Sequence, residues 1–263
     1  MIRAASLLLL TIALVSPVLA QTPSHPPRDW EMTLGAAAAY VPDYEGSDDH
    51  KARALPYVDA SYKDTVFFRG TTLGANLVSV NGPRPGDGLK LGPLVRYGFG
   101  RDESDNEALR GLGDIDDAIE LGGFARYTVG PWLADVQVVK DVAGGHEGVL
   151  VDAGIGWRQA LSPRWRTTLR AHATWADETH MQNVFGISAA QAARSGLRRH
   201  EAGGGFKDVG LSASLAFAVT ENWLLIGRAG YSRLLGDAAD SPIVADKGSA
   251  DQLSGMLTIG YRF

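Results

Sequence analysis

Residues 164–175 read RWRTTLRAHATW, and the order of these residues decides the fold. Trp165, Thr167, Leu169, Ala171, Ala173 and Trp175 fall on one side of a period of two; Arg164, Arg166, Thr168, Arg170, His172 and Thr174 fall on the other. Strict alternation marks an extended strand, because successive side chains leave opposite faces of the pleat. A helix would place apolar residues at i, i+3, i+4 and i+7, which this stretch does not. One face is apolar and bracketed by tryptophans, while the other carries three arginines and a histidine. The stretch 207–219, KDVGLSASLAFAV, repeats the pattern, with Val209, Leu211, Ala213, Leu215, Phe217 and Val219 opposite Asp208, Gly210, Ser212, Ser214, Ala216 and Ala218.

Working outward, similar segments are expected near 30–40, 52–62, 65–70, 72–79, 88–99, 117–128, 131–140, 149–160, 222–233 and 252–263. VGPW, LSPR and VTEN are tight connections with turn-forming residues. The stretches 41–51, 100–116, 177–205 and 234–251 are long and polar, and 141–148 is intermediate. Short and long connections alternate, so the long ones share one side. That segregation is the pattern of a transmembrane antiparallel up-and-down β-barrel with short periplasmic turns and long extracellular loops. If both ends of the barrel domain are periplasmic, the strand number is even, and twelve satisfies this. The alternative is ten, reached if the short pair over 65–79 is one irregular excursion.

The amino terminus agrees with export. Arg3 precedes the apolar run Leu7–Val15, and Val18-Leu19-Ala20 fits a cleavage site, so residues 1–20 read as a secretory signal peptide. Residues 21–29 form a Pro-rich periplasmic leader and 30–263 the barrel domain. No stretch of about 18 apolar residues follows the signal, which leaves only strands to cross a bilayer. The absence of cysteine excludes disulfides, thiolate metal sites and cysteine catalysis. A net charge of −5 offers nothing to nucleic acid.

The two faces then take different solvents. Aromatic residues on the apolar face, among them Trp30, Tyr40, Tyr127, Trp132, Trp223, Tyr261 and Phe263, cluster at strand ends, as girdles at headgroup depth do. The other face holds Glu31, Asp59, Glu120, Asp135, Asp152 and Asp208 against Arg53, Lys90, Arg96, Arg126, Arg158, Arg166, Arg170, Arg228 and Arg262. A dry sandwich core could not hold that set, whereas a wet or salt-bridged lumen could.

Three long stretches resemble the MipA/OmpV family, named for the MltA-interacting protein. They are YVPDYEGSDDHKARALPYVDASYKDTVFFRG (40–70), DETHMQNVFGISAAQAARSGLRRHEAGGGFKDV (177–209) and YSRLLGDAADSPIVADKGSADQLSGMLTIGYRF (231–263). The resemblance implies a barrel of the Gram-negative outer membrane. It also implies a scaffold joining a lytic transglycosylase to a penicillin-binding protein in murein synthesis. Other family members are discussed as channels or adhesins, so a small-solute channel is the alternative function and a surface adhesin or receptor a third.

Several clusters are weighed for chemistry. Asp43, Glu45, Asp48, Asp49 and His50 could offer oxygen ligands to a divalent cation, but the spacing is not that of an EF-hand. A structural turn using Pro42 and Gly46 is preferred, with Tyr44 packed on the rim. Asp177, Glu178 and His180 lack the second histidine of a usual zinc set. In 188–194, Ser188 is a helix N-cap and Gly196 a stop, giving a short helix that plugs the mouth. Arg194 or Arg198 is expected to interlock with Asp240, near Asp237. In the lumen, Arg126, Arg158, Arg166, Arg170 and His172 either attract anions or, as preferred, pair with Asp135, Asp152 and Asp208 into a closed network. No catalytic, metal or cofactor site is assigned, and the protein is expected not to be an enzyme. The partners expected are the lipid bilayer, the two murein enzymes and the outer-membrane assembly machinery, for which Tyr261 and Phe263 on the last strand resemble a recognition signal.

Overall fold

The computed structural model describes residues 29–263; the expected signal peptide (1–20) and residues 21–28 of the expected leader lie outside the described residues. The strands are β1 (Trp30–Pro42), β2 (His50–Tyr62), β3 (Val66–Arg69), β4 (Thr72–Ala75 continued by Val78–Asn81), β5 (Gly88–Gly98) and β6 (Ala118–Val129). They continue as β7 (Trp132–Asp141), β8 (Val149–Ala160), β9 (Trp165–Ala176), β10 (Gly205–Ala218), β11 (Trp223–Leu234) and β12 (Asp251–Arg262). Each pairs antiparallel with its sequence neighbours, and β12 closes on β1 from Thr33↔Arg262 to Tyr40↔Gly255. Closure leaves no sheet edge running the height of the wall, which is what a strand-built membrane protein requires.

The twelve-strand count rests on β4, which is one strand with a bulge. Gly74 pairs with Leu94 and Val78 with Leu91, so four steps on β4 span three on β5. Pro93 faces this break. Its neighbour two turns of the pleat above, Tyr97, donates its amide to Thr71 on the same side, so by alternation the missing N–H of Pro93 forfeits no ladder bond. Pro56 on β2 is placed the same way. Val58 accepts from Gly70 on the side away from β1, and above it β2 has ladder partners on β1 alone. The β3–β4 hairpin thus turns at Gly70-Thr71 partway up the wall, the one outward connection that is short. The 99–117 loop reaches over the gap: Lys51 Nζ meets Asp105 Oδ2 at 3.1 Å, and Asn106 Nδ2 donates to Asp43 and Asp49 at 3.1 and 3.2 Å.

The outward face carries large apolar side chains left exposed by the protein itself, including Ile155, Leu169, Leu211 and Leu257. Aromatic pairs border this belt. Trp30–Tyr62, Trp165–Phe217 and Trp223–Tyr261 pair with centroids 4.9, 4.4 and 5.2 Å apart at the periplasmic end. Tyr97 and Phe99 pair at 5.1 Å toward the outer end. Ten residues separate Trp165 from Trp175, which at an ordinary strand rise and barrel tilt gives a belt about 25 Å tall, the thickness of an outer membrane. The protein is an outer-membrane β-barrel.

Candidate functional site

The lumen is layered, and the layers follow from which residues the strands and loops deliver to each height. At the outer mouth the long loops fold into a plug. Helix α1 (Glu178–Phe185) starts at Asp177, whose carboxylate accepts the His180 amide at 2.9 Å. Helix α2 (Ala189–Ser195) starts at a capping box between Ser188 and Gln191 and stops at Gly196, which takes a φ of +76°. The short helices α3 (Gly236–Asp240) and α4 (Pro242–Ala245) complete it. Leu109, Met181, Phe185, Ile187, Ala238, Ile243 and Val244 pack together there, each at most 1% exposed.

Tyr44 belongs to this core rather than to the rim. Its hydroxyl donates to the Ile243 carbonyl at 2.9 Å, and burial, aided by the nearby Asp48, pushes its pKa up to about 12. The interlock also differs from the expected acid–base pairs. Arg198 donates to the backbone oxygen of Asp240 at 2.7 Å and lies 3.7 Å from the Asp246 carboxylate. Arg194 turns instead to the Gly111 carbonyl, 3.1 Å away on the 99–117 loop. Asp237 accepts from the Gly203 amide at 2.7 Å, and its own carbonyl meets His200 at 2.7 Å. Backbone atoms dominate because the four loops meet edge to edge, where carbonyls left over at short helix ends are nearer than side chains.

Asp177, Glu178 and His180 do not converge. Asp177 caps α1, Glu178 is exposed, and His180 points inward at 4% exposure with neither ring nitrogen hydrogen-bonded. Burial, reinforced by Lys207 and His146, holds the His180 pKa down to about 2. Its ring packs edge-on against His146, centroids 4.5 Å apart.

Below the plug comes a belt of ion pairs. Glu120 is clamped by Arg96, with Nη2 to Oε1 at 2.9 Å, and by His146 at 3.0 Å. Arg170 bridges Asp135, at 2.7 and 3.2 Å, and Asp152. Lys207 joins Glu45 and lies 2.9 Å from Asp208, which also accepts from Thr174 at 3.0 Å and faces His172 at 3.5 Å. Lys207 escapes a reading by alternation because of a β-bulge. Thr174 pairs with Asp208 but Trp175 with Phe206, so Lys207 and Asp208 are both buried although they are consecutive.

The expected closed network therefore forms only in part. Arg170 and His172 have their carboxylates, but Arg126, Arg158 and Arg166 have no ion pair among the described residues. The reason is position. Asp135 and Asp152 lie nearer Arg170, whose guanidinium folds over Gly154, where a Cβ would approach it to 2.5 Å. Two cavities occupy the bore: one of 490 Å³ bordered by the ion-pair belt, and one of 410 Å³ against the turn after β4, with Arg126 lining both.

Comparison with known proteins adds the following. Residues 34–263 match the family described as MltA-interacting protein MipA. A chain of Escherichia coli K12 called YiaT is 26% identical over 236 residues, covering 89% of this chain and 91% of that one. The MltA-interacting protein of the same strain is 25% identical over 235 residues, with 89% and 90% covered. The outer membrane protein Omp26La of Vibrio anguillarum is 24% identical over 212 residues, with 78% and 80% covered. Among solved structures, the outer-membrane expressed OmpT of Vibrio cholerae aligns over 89% of this chain and 97% of its own, at 8% identity and a TM-score of 0.35.

Proposed function

This chain belongs to the MltA-interacting protein MipA family, and on that premise we propose that it is a non-enzymatic outer-membrane scaffold for murein-processing enzymes. One of its relatives is named for interaction with MltA. The partners proposed here are a lytic transglycosylase and a penicillin-binding protein. Their contact surface is the periplasmic rim: the leader, the tight turns at 63–65, 130–131, 161–164 and 219–222, and the wider turn at 82–87.

The observation that carries this reading is the plug. A core with Phe185, Leu109 and Val244 at 0% exposure fills the outer mouth, which favours a docking role over a small-solute channel. A non-catalytic reading is supported by how the histidines are spent. His50 and His200 bond backbone carbonyls, while His146 and His172 hold carboxylates. Pull-down of natively folded barrel with the transglycosylase and synthase of the same organism tests it: retention of both is expected, and retention of neither rejects the scaffold. The terminal Phe263, whose ring packs 4.9 Å from Tyr261, is proposed as part of the assembly signal. Deleting it is expected to lower surface assembly, and normal insertion of the truncated chain would reject that role.

A further inference from the structure

The lower cavity has a charge imbalance that the fold does not correct. Its charged lining is Asp59, Arg69, Asp87, Lys90, Arg126 and Arg158. Four of these are accounted for. Asp59 answers Arg69 at 3.7 Å, Asp64 answers Lys90 from just outside, and Asp87 accepts the Gly130 amide at 2.7 Å. Arg126 and Arg158 form no ion pair among the described residues, because Asp135, the cross-strand neighbour of Arg126, is engaged by Arg170, and the Arg126 Nε is buried without an acceptor. On its other side the cross-strand partner of Arg126 is Lys90, and like charges so placed repel. A buried guanidinium N–H without a partner costs more than a lost hydrogen bond, because the group gives up water and gains nothing.

The height of this cavity decides from which side it is reached. Thr128 and Arg158 lie one and two residues from the ends of β6 and β8, and Gly88 opens β5, so the cavity belongs to the periplasmic end. The outer mouth is filled by the plug, whereas turns of two to six residues cannot cover a twelve-stranded bore. Gly156 puts no side chain on the wall of β8 directly above Arg158, and at Gly154 the Arg170 guanidinium takes the space.

We propose that the periplasmic half of the lumen is a binding site for a small polyanion, one carrying two or more carboxylate or phosphate oxygens. Arg126 and Arg158 are its direct ligands, and Lys90 and Arg69 supply the surrounding positive field. A guanidinium presents planar paired donors that match such oxyanions. Two of them across one wet cavity select for a ligand with two anionic ends. The site stands independently of the scaffold reading, since it needs no protein partner.

The test is calorimetric titration of the full folded chain in a neutral detergent, with inorganic pyrophosphate in one arm and citrate in the other. Saturable binding that weakens with added sodium chloride is expected in at least one arm, and the arm that binds more tightly identifies phosphate or carboxylate as the preferred chemistry. Each of Arg126→Gln and Arg158→Gln should weaken it about tenfold, the loss of a charge-assisted hydrogen bond. Arg194→Gln, in the plug, should leave it unchanged. No saturable binding in either arm, or wild-type affinity in the double variant, overturns the proposal. Should the double variant lack the heat-modifiable gel shift of a folded barrel, phenylglyoxal labelling of the wild type decides. Protection of Arg126 and Arg158 by the bound anion, with Arg194 still labelled, supports the site; equal labelling with and without anion rejects it.

Discussion

At the outer mouth, Leu109, Phe185, Ala238 and Val244 are wholly buried by four loops that meet over the bore. At the other end of the same lumen, Arg126, Arg158 and Arg166 line the bore with no ion pair among the described residues. Both ends are made of inward-facing residues, yet one is a hydrophobic core and the other a charged vestibule. Loops can turn apolar side chains toward one another from several directions, so they build a large core, whereas the strands supply only the small cluster of Phe67, Leu94, Phe124 and Val139. Strands are more limited, because every second residue is committed to lipid and the remainder must line a bore too wide for small side chains to fill. The contrast teaches that stability at the outer end comes from packing, whereas the periplasmic end is left free for ligands.

The largest effect expected from breaking this contrast is at the plug. Phe185→Ala should cost about 3–5 kcal/mol of local packing. Hydrogen exchange is expected to rise across 177–204 and 235–250 while the β-strands keep their protection; uniform loosening of the strands as well would mean the plug and wall are one unit. Next comes a pair of arginines with opposite outcomes. Arg170→Ala leaves Asp135 and Asp152 without their cation and should cost about 2–3 kcal/mol, since the pair is only partly buried. Arg126→Gln removes an unanswered charge and should leave stability equal or raised by up to about 1 kcal/mol. Denaturant midpoints measured in lipid vesicles compare the two, and equal losses would erase the distinction between the layers.

The plug should also respond to acid. His180 is held neutral by burial, with its pKa lowered to about 2 from the usual 6.5, so the opened plug binds a proton at mildly acidic pH that the closed plug does not. Stability is then highest above about pH 6.5 and falls as pH drops toward 2, by about 1.4 kcal/mol per unit, or about 2 kcal/mol by pH 5. Exchange rates of the 177–204 amides at pH 7 and pH 5, corrected for intrinsic rate, measure this. His180→Phe should flatten the dependence. The smallest effect is Ser188→Ala, which removes a cap and should cost about 1 kcal/mol, seen as faster exchange confined to α2.

Much of this was legible in one dimension. The alternation over 164–175 and 207–219 is visible because one face meets lipid and tolerates no charge, so the period of two survives nearly unbroken. The Ser188 cap and the Gly196 stop are local chemistry, which is why α2 was readable from a seven-residue stretch. α1 was not, because Met181 and Phe185 are buried among residues of the 99–117 and 235–250 loops and His180 against His146, rather than by a face of their own. Tyr44 was misplaced at the rim for the same reason: its partner, Ile243, lies 199 residues away. Lys207 was missed because a single bulge shifts parity, and nothing local announces a bulge of that kind.

The sequence by itself therefore determined the up-and-down barrel, the lipid-facing belt and most of the charges that face inward, while the choice of twelve strands over ten rested on the bulge in β4. These follow from pleat geometry and from the cost of charge in hydrocarbon, and both act residue by residue. Which of those charges pair was decided only by the tertiary structure. A cross-strand pair depends on register, bulges and the heights at which three or four strands bring their side chains together. That is how Arg170 obtained two carboxylates and Arg126, on a strand just as plainly alternating, obtained none.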